Sequence, residues 1–430
     1  MVPHLITALT GPINELEQRI LDSMPAIERW FRLEWMEHTP PFYSSVDLRN
    51  AGFKLAPVDT SLFPVGWNHL TSQMVPLAVQ AAMAAIEKIC PEARNLLLIP
   101  ANHSDSPDYL ANVAQLAKIF HSAGLNVRIG SVDPTITDTT VRQLPSGEIV
   151  TLEPVVRIRG RLATRYFDPC TVLLNTDLSA GAPGILEDLH EQYLLPPLHA
   201  GWTVRRKSTH FRNYEDVSKR FGKMLGIDPW LVHSLFGACG DIDLAAPEGR
   251  ATLAEQVDAV LARVRRKYKE YGIGEKPFVI VKPDNAGEGV LAAETRGVAT
   301  VRDARDLDGI DLRGDDGTLP RNLIVQEGVP TSEHVGKASA EPVVYMMDRY
   351  VVGGFYRVNG RRGPDESLAS PGASVVPLDF DDSAHLMQPG GKSAAEAPNR
   401  FYMYGVIGRL AMLAASYELE ATDPEAEVYE

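Results

Sequence analysis

Apolar residues at Ile13, Leu16, Ile20, Leu21, Met24 and Ile27 recur every three to four positions, so residues 13–37 are expected to be helical. Pro40-Pro41 ends that pattern. Residues 42–70 show neither helical nor strand period and are dense in turn-formers, which reads as an irregular stretch. A helix is expected over 75–89, a buried strand over 96–99, and then the polar loop Asn102-His-Ser-Asp-Ser-Pro107. A second helix over 108–123 stops at Gly124, and a strand follows over 127–132. Strand, helix and strand in this order make a βαβ unit, which implies a parallel sheet with ligands at its strand C-terminal ends.

Residues 140–177 alternate as β structure: 140–144, a turn at Pro145-Ser-Gly-Glu148, then 149–158 and 171–174. Residues 185–274 read as mostly helical, most clearly over 253–271. From 277 the chain returns to strands, apart from an apolar helix near 401–419. The long apolar run 343–358 is expected to fold back at Gly353-Gly354. The charged segment 302–321 reads as a surface loop or weak hairpin. The expected fold class is α/β, with an N-terminal parallel-sheet α/β domain over 1–135, a mixed β/helical region over 136–275 and a third, mainly β region over 276–430.

Composition narrows the function. An apolar content of 44% and a charged content of 23% over 430 residues are those of an ordinary globular protein. No run approaches the roughly 18 uncharged apolar residues of a membrane span. Residues 1–20 lack the basic start and apolar core of a secretion signal, so a cytoplasmic location is expected. Cys90, Cys170 and Cys239 lie far apart in sequence, which fits a reducing compartment and argues against a CxxC metal site. A net charge of −14 disfavours nucleic-acid binding and makes any local positive cluster informative. Composition leaves the oligomeric state open.

The chemistry-bearing residues concentrate in the last third. Residues 278–289 read Phe-Val-Ile-Val-Lys-Pro-Asp-Asn-Ala-Gly-Glu-Gly. Lys282 ends an apolar strand, and Gly287 and Gly289 would let backbone amides approach phosphate oxygens. The competing reading is a plain turn. Gln326 and Glu327 end another strand; its edge could face an adenine and the carboxylate a ribose, or Glu327 could be a solvated strand end. Arg357 sits inside a β pattern, either at an edge or aimed at an anion. Asp365 and Glu366 could supply oxygen ligands to Mg²⁺, or form a solvated turn. Arg205, Arg206 and Lys207 form a dense positive cluster. His103, His199 and His210 show no metal spacing, and neither a Walker A nor a G-x-S-x-G sequence is present.

Taken together, Val279–Lys282 with its glycine loop, Val325-Gln-Glu-Gly328 and Asp348-Arg-Tyr-Val-Val-Gly-Gly-Phe-Tyr-Arg357 resemble the nucleotide half of an ATP-grasp ligase. More narrowly, the chain resembles the proteobacterial glutamate–cysteine ligase family. The runs that carry this include Glu37-His-Thr-Pro-Pro-Phe-Tyr43, Ser45-Val-Asp-Leu-Arg-Asn-Ala-Gly-Phe-Lys-Leu-Ala-Pro-Val-Asp-Thr60, Leu195-Pro-Pro-Leu-His-Ala-Gly-Trp202, Val204-Arg-Arg-Lys-Ser208 and Glu341-Pro-Val-Val-Tyr345. The resemblance implies that ATP activates the γ-carboxyl of glutamate as an acyl phosphate and that the amine of cysteine attacks it. It implies Lys282 on the phosphates, Glu327 on the ribose, Arg357 on the transferring group and Mg²⁺ between the phosphates. Asp47, Arg49, Asn50, Asp59, Asn102, His103, Arg205, Arg206 and Lys207 are the candidates for the amino-acid pocket. The sequence departs from the family pattern at Ala101 and Asp105, where a glutamate and an arginine are usual, and its glycine loop is shorter. These departures keep two alternatives open: a paralogue joining a different amino-acid pair, and a nucleotide-binding protein without turnover.

Overall fold

The computed structural model describes residues 5–6, 12–102, 106–285, 297–314, 317–378, 400–424 and 426. The expected βαβ unit is present. Strands Tyr193–Leu195, Thr171–Asn175, Asn95–Pro100, Asn126–Ser131 and Ile149–Pro154 lie side by side and parallel, with Thr140–Gln143 closing the edge antiparallel. The helix Pro107–Ser122 makes the crossover, and Ser106 caps it by accepting the Tyr109 amide.

A second, antiparallel sheet of seven strands joins both ends of the chain. Its main path runs Leu5–Ile6, Glu333–Val335, Ala338–Met347, Tyr350–Asn359 and Ala373–Pro377. The first and third segments expected from sequence therefore share one sheet. A hairpin of Tyr43–Asn50 and Leu55–Ser61 is added along residues 343–347. This hairpin replaces the irregular stretch expected over 42–70. Its period was hidden because every residue of Tyr43–Asn50 is buried on both faces. Val46 and Leu48 enter the apolar core, while Asp47 and Arg49 point the other way into a polar cleft.

The expected turn at Gly353-Gly354 is also corrected. The chain reverses at Asp348-Arg349, where Asp348 takes a left-handed φ of 49°, and the two glycines lie within a continuous strand. A Cβ on Gly353 would meet Leu70 and Met74 at 2.9 Å, and one on Gly354 would meet the Val343 carbonyl at 2.5 Å. Both glycines therefore mark close approach inside the sheet. Residues 13–37 form two helices, Pro12–Asp22 and Met24–Glu37, because Pro25 suits the first turn of a new helix and not the middle of an old one. Within 185–274 the helices are Lys207–Leu225 and Pro247–Tyr271, joined by short strands and 3₁₀ turns. Residues 304–309 form a 3₁₀ turn closed by an Asp303–Asp306 capping box.

A third sheet of four antiparallel strands, Phe236–Cys239, Leu323–Glu327, Val279–Pro283 and Ala299–Val301, packs on the helix Pro247–Tyr271 around its own apolar core. The C-terminal helix Phe401–Thr422 is buried nearly all round against the seven-stranded sheet. No helix among the described residues is long and apolar enough to cross a membrane.

One buried acid in this scaffold gives a testable pH effect. Glu333 is fully buried; its Oε1 accepts from Asn50 Nδ2 at 2.8 Å and from the Tyr404 hydroxyl. Burial outweighs those donors and Arg400, and pushes its carboxyl up to about 7. A raised carboxyl contributes stability that is fully present below its unfolded value near 4.5 and is lost as pH rises through about 7. Glu333→Gln mimics the protonated acid. Its melting temperature is expected to match the parent near pH 5 and to exceed it near pH 8.5, by on the order of 2 kcal/mol in stability. Equal melting curves at both pH values would refute this.

Candidate active site

The cleft between the small sheet and the seven-stranded sheet encloses about 490 Å³, including its solvent-open mouth. Four neighbouring strands of the large sheet carry a row of linked charged side chains, of which Asp47, Arg49 and Glu341 line it. Arg357 stands opposite Glu341 in register, and Asp47 opposite Val343. Arg357 Nη1 donates to Glu341 Oε1 at 2.6 Å and to Asp47 Oδ2 at 2.8 Å. Arg49 Nε pairs with Glu341 Oε2, and its Nη1 and Nη2 donate to the Pro364 and Glu366 carbonyls at 2.8 and 2.7 Å. Arg49 thus fastens the loop 364–366 to the floor of the cleft.

The next strand adds Asp59, which pairs with Lys207 Nζ. A bulge after Asp47 shifts the register from Asp59 to Pro57, leaving Val58 without a cross-strand partner. The Val58 carbonyl accepts from Lys282 Nζ at 2.7 Å, so the bulge is what ties the two sheets together at this point. Beyond Lys282, the Asp284 carboxylate caps the helix Lys207–Leu225: it accepts from the Ser208 amide at 2.7 Å and the Ser208 hydroxyl at 2.6 Å. The glycine loop therefore starts from a fixed point. Gly287 and Gly289 lie outside the described residues.

Lys282 and Gln326 lie on adjacent strands, and both line the same cleft with Phe278 and Ile280. Gln326 is buried, and among the described residues its Nε2 has no hydrogen-bond partner. A buried donor without a partner costs free energy, which an acceptor on a ligand in the cleft would recover. Glu327 behaves differently. Its carboxylate is fully buried and accepts from Lys54 Nζ at 3.0 Å, Trp230 Nε1 at 3.0 Å and the Leu235 amide at 2.8 Å. Glu327 also lines the cleft, but its carboxylate is taken up by these protein donors, and through them it joins the hairpin to the small sheet.

Among the described residues the charged row carries four cations, Arg49, Arg357, Lys207 and Lys282, against three carboxylates, Asp47, Asp59 and Glu341. Burial raises the Asp47 carboxyl to about 6, with Arg357 opposing and Glu341 and Asp59 adding to the rise. An ion-paired acid would ordinarily fall; here desolvation and two like charges win. Asp59 moves the other way, because Lys207 and Lys282 outweigh its burial. Arg357 stays charged: burial works against it, but Asp47 and Glu341 hold its pKa above the usual value.

The remaining sequence candidates are dispersed. Arg205 is buried and doubly bonded to Glu418, through Nε at 2.9 Å and Nη2 at 3.0 Å. It anchors the C-terminal helix and does not reach the cleft lining. Arg206 Nη1 donates to the Arg205 carbonyl at 2.7 Å. Asn50 donates to Glu333 on the core face of its strand. Asn102 is exposed at the end of the strand Asn95–Pro100, and His103 lies outside the described residues. Asp365 pairs with Arg302; Glu366 Oε2 accepts from the Gly363 amide at 2.7 Å and Oε1 from Arg362 at 3.1 Å. Both line the mouth of the cleft. Among the described residues no group of three or more metal-ligating side chains converges. Sequence reasoning gave no role to Glu341 or Lys54. Glu341 did carry a signal, as an acid directly before proline and the apolar run 343–347.

A family profile described as glutamate-cysteine ligase (GshA) matches residues 17–419. The crystal structure of a candidate gamma-glutamylcysteine synthetase from Methylobacillus flagellatus KT aligns with 98% of this chain and 100% of its own, at 51% identity and a TM-score of 0.87. A glutathione synthetase-like effector (GSS30) from Globodera pallida aligns over 85% of this chain and 91% of its own, at 9% identity and a TM-score of 0.37, a level that carries no argument. No curated protein matches the chain.

Proposed function

Because this chain belongs to the glutamate–cysteine ligase family, we propose that the cleft between the small and seven-stranded sheets is where its ATP-dependent amide ligation takes place. The reading joins the γ-carboxyl of glutamate to the amine of cysteine. The observation that carries the location is the convergence of Lys282, Gln326 and Arg49 on one cleft with the buried carboxylates Asp47 and Glu341, both of which pair with Arg357. ATP supplies the phosphoryl group that makes the carboxylate reactive toward the amine.

The residues present fit a nucleotide. Phe278, Ile280, Val298 and Val329 offer an apolar wall for a base, and Gln326 Nε2 is the donor awaiting a base acceptor. Lys282, which lines the cleft, is assigned to the phosphates together with Lys207, and Arg49 with its neighbour Arg357 to the reacting group. Asp365 and Glu366 do not fit a Mg²⁺ site as they stand, because each is already engaged by a cation. A Mg²⁺ ion would enter with the phosphates, and no step is assigned to these two acids.

Asp47, held near neutrality beside Arg357, is suited to take the proton that the attacking amine must lose. Such a base works only when ionised, so kcat/KM is expected to fall as pH drops through about 6. Asp47→Asn should abolish that acidic limb along with most of the rate, and a variant that keeps both the limb and the rate would remove Asp47 from this role.

Lys282→Ala tests the phosphate assignment. The parent should gain stability with ATP, about 2.7 kcal/mol when ATP is a hundred times its Kd. The variant should lose that gain, and an unchanged thermal shift would overturn the assignment. The function itself is tested by ADP release with amino acids offered in pairs. Release with glutamate plus cysteine supports the reading, and release only with another pair overturns its substrates.

A further inference from the structure

Away from the cleft, two cysteines meet at the N-terminal end of the parallel sheet. Cys90 closes the helix Val75–Ile89, and Cys170 immediately precedes the strand Thr171–Asn175. Eighty residues separate them in sequence, yet their sulfurs lie 3.6 Å apart. Cys170 Sγ also approaches the Asn95 carbonyl at 3.8 Å, at the start of the neighbouring strand. Both thiols are free. We propose that Cys90 and Cys170 are a reversible dithiol–disulfide pair, a modification site whose reaction partner is a low-molecular-weight disulfide.

The geometry favours this outcome over independent reactions. A disulfide bond is about 2.05 Å long, so the sulfurs must close by roughly 1.5 Å, a displacement within the range of side-chain torsions. Access is asymmetric: Cys170 is half-buried and Cys90 is buried. Burial, and then the neighbouring Cys170 sulfur, hold the Cys90 thiol above its usual pKa, so it is the poorer first nucleophile. The exchange therefore starts at Cys170. Its thiolate attacks one sulfur of the small disulfide, the sulfur–sulfur bond breaks, and one small thiolate leaves and takes up a proton. Cys90 then gives up its proton and attacks Cys170 Sγ in the mixed disulfide, expelling the second small thiol. The protein loses two hydrogens and two electrons, and one small disulfide becomes two thiols.

The closed loop contains the strands Asn95–Pro100 and Asn126–Ser131 with the helix between them. Cross-linking it restricts the unfolded chain, so the oxidised protein should be the more stable form. Asp47, Arg49, Lys282, Glu341 and Arg357 all lie outside the loop, so ligase turnover should survive oxidation. Cys239 is the internal control: it is buried in the separate core of the small sheet, 3% exposed.

The test incubates the full chain with glutathione disulfide, alkylates the remaining thiols and maps the peptides by mass spectrometry. The expected result is a Cys90–Cys170 linked peptide with Cys239 alkylated. A melting temperature roughly 2–5 °C above the dithiothreitol-reduced protein should accompany it. Cys170→Ser should remove both the link and the rise; if that variant does not fold, the parent's peptide map decides alone. A mixed disulfide that stops at Cys170, a link through Cys239, dimers between chains, or three unmodified thiols would each overturn the proposal.

Discussion

Arg357→Lys is expected to lower kcat by roughly 10²- to 10³-fold while leaving a folded protein that melts close to the parent. The lysine keeps a positive charge between Asp47 and Glu341, whose carboxylates lie 2.8 and 2.6 Å from Arg357 Nη1. What it loses is the planar fork, which suits the spread charge of a transferring phosphoryl group. The comparison variant is Arg357→Met. It strands buried carboxylates, and a cost of about 3–5 kcal/mol is expected. Thermal melts and steady-state rates on the two variants separate charge balance from catalysis. If Arg357→Lys retained kcat within a few-fold, the arginine would be a structural counter-ion and its assignment to the reacting group would fail.

Glu327→Ala is expected to cause the largest loss of stability outside the cleft, about 3–5 kcal/mol by the urea midpoint. Burial lowers the Lys54 ammonium to about 8 even with Glu327 beside it. Lys54 also lies 4.1 Å from the Trp230 ring centre, and Phe53 stacks on the same ring at 6.0 Å. The hairpin tip is therefore plugged into the core of the small sheet, and removing Glu327 leaves its one buried charge unpaired. Lys54→Met combined with Glu327→Gln removes both charges and should restore most of the loss. The double variant should also keep ATP-dependent stabilisation, since the Glu327 carboxylate is already taken up by Lys54, Trp230 and the Leu235 amide. A ribose ligand at Glu327 would instead make that stabilisation vanish while the fold remained intact. A double variant no more stable than Glu327→Ala would contradict the paired-charge account.

How much of this was legible in the sequence depended on whether a residue's surroundings matched its polarity. The parallel unit was readable because Leu96–Ile99 is apolar and buried, and the helix Pro107–Ser122 carries its own cap and a glycine stop. The reaction class was readable from the long runs shared with the glutamate–cysteine ligase family, not from Lys282 or Arg357 alone. The hairpin Tyr43–Ser61 was not, although it carries three of the seven charged residues of the row. A strand such as Tyr-Ser-Ser-Val-Asp-Leu-Arg-Asn looks like a loop unless the partner of each polar group is known, and the long-range partners of Asp47, Arg49 and Asn50 sit 283 to 317 residues away. The Gly353-Gly354 pair misled for a related reason: turn chemistry and close packing use the same residue. Arg205 and Glu327 were legible as charges but not as internal pairs, because nothing local announces Glu418 or Lys54.

The central claim is that this cleft drives amide formation by passing a phosphoryl group through the side-chain carboxyl of glutamate. The most direct measurement supplies glutamate carrying a heavy-oxygen label in that carboxyl, together with cysteine and ATP, and analyses the products by mass spectrometry. The account predicts γ-glutamylcysteine, with one labelled oxygen delivered to each released phosphate. Unlabelled phosphate, or ADP release without the dipeptide, would contradict it.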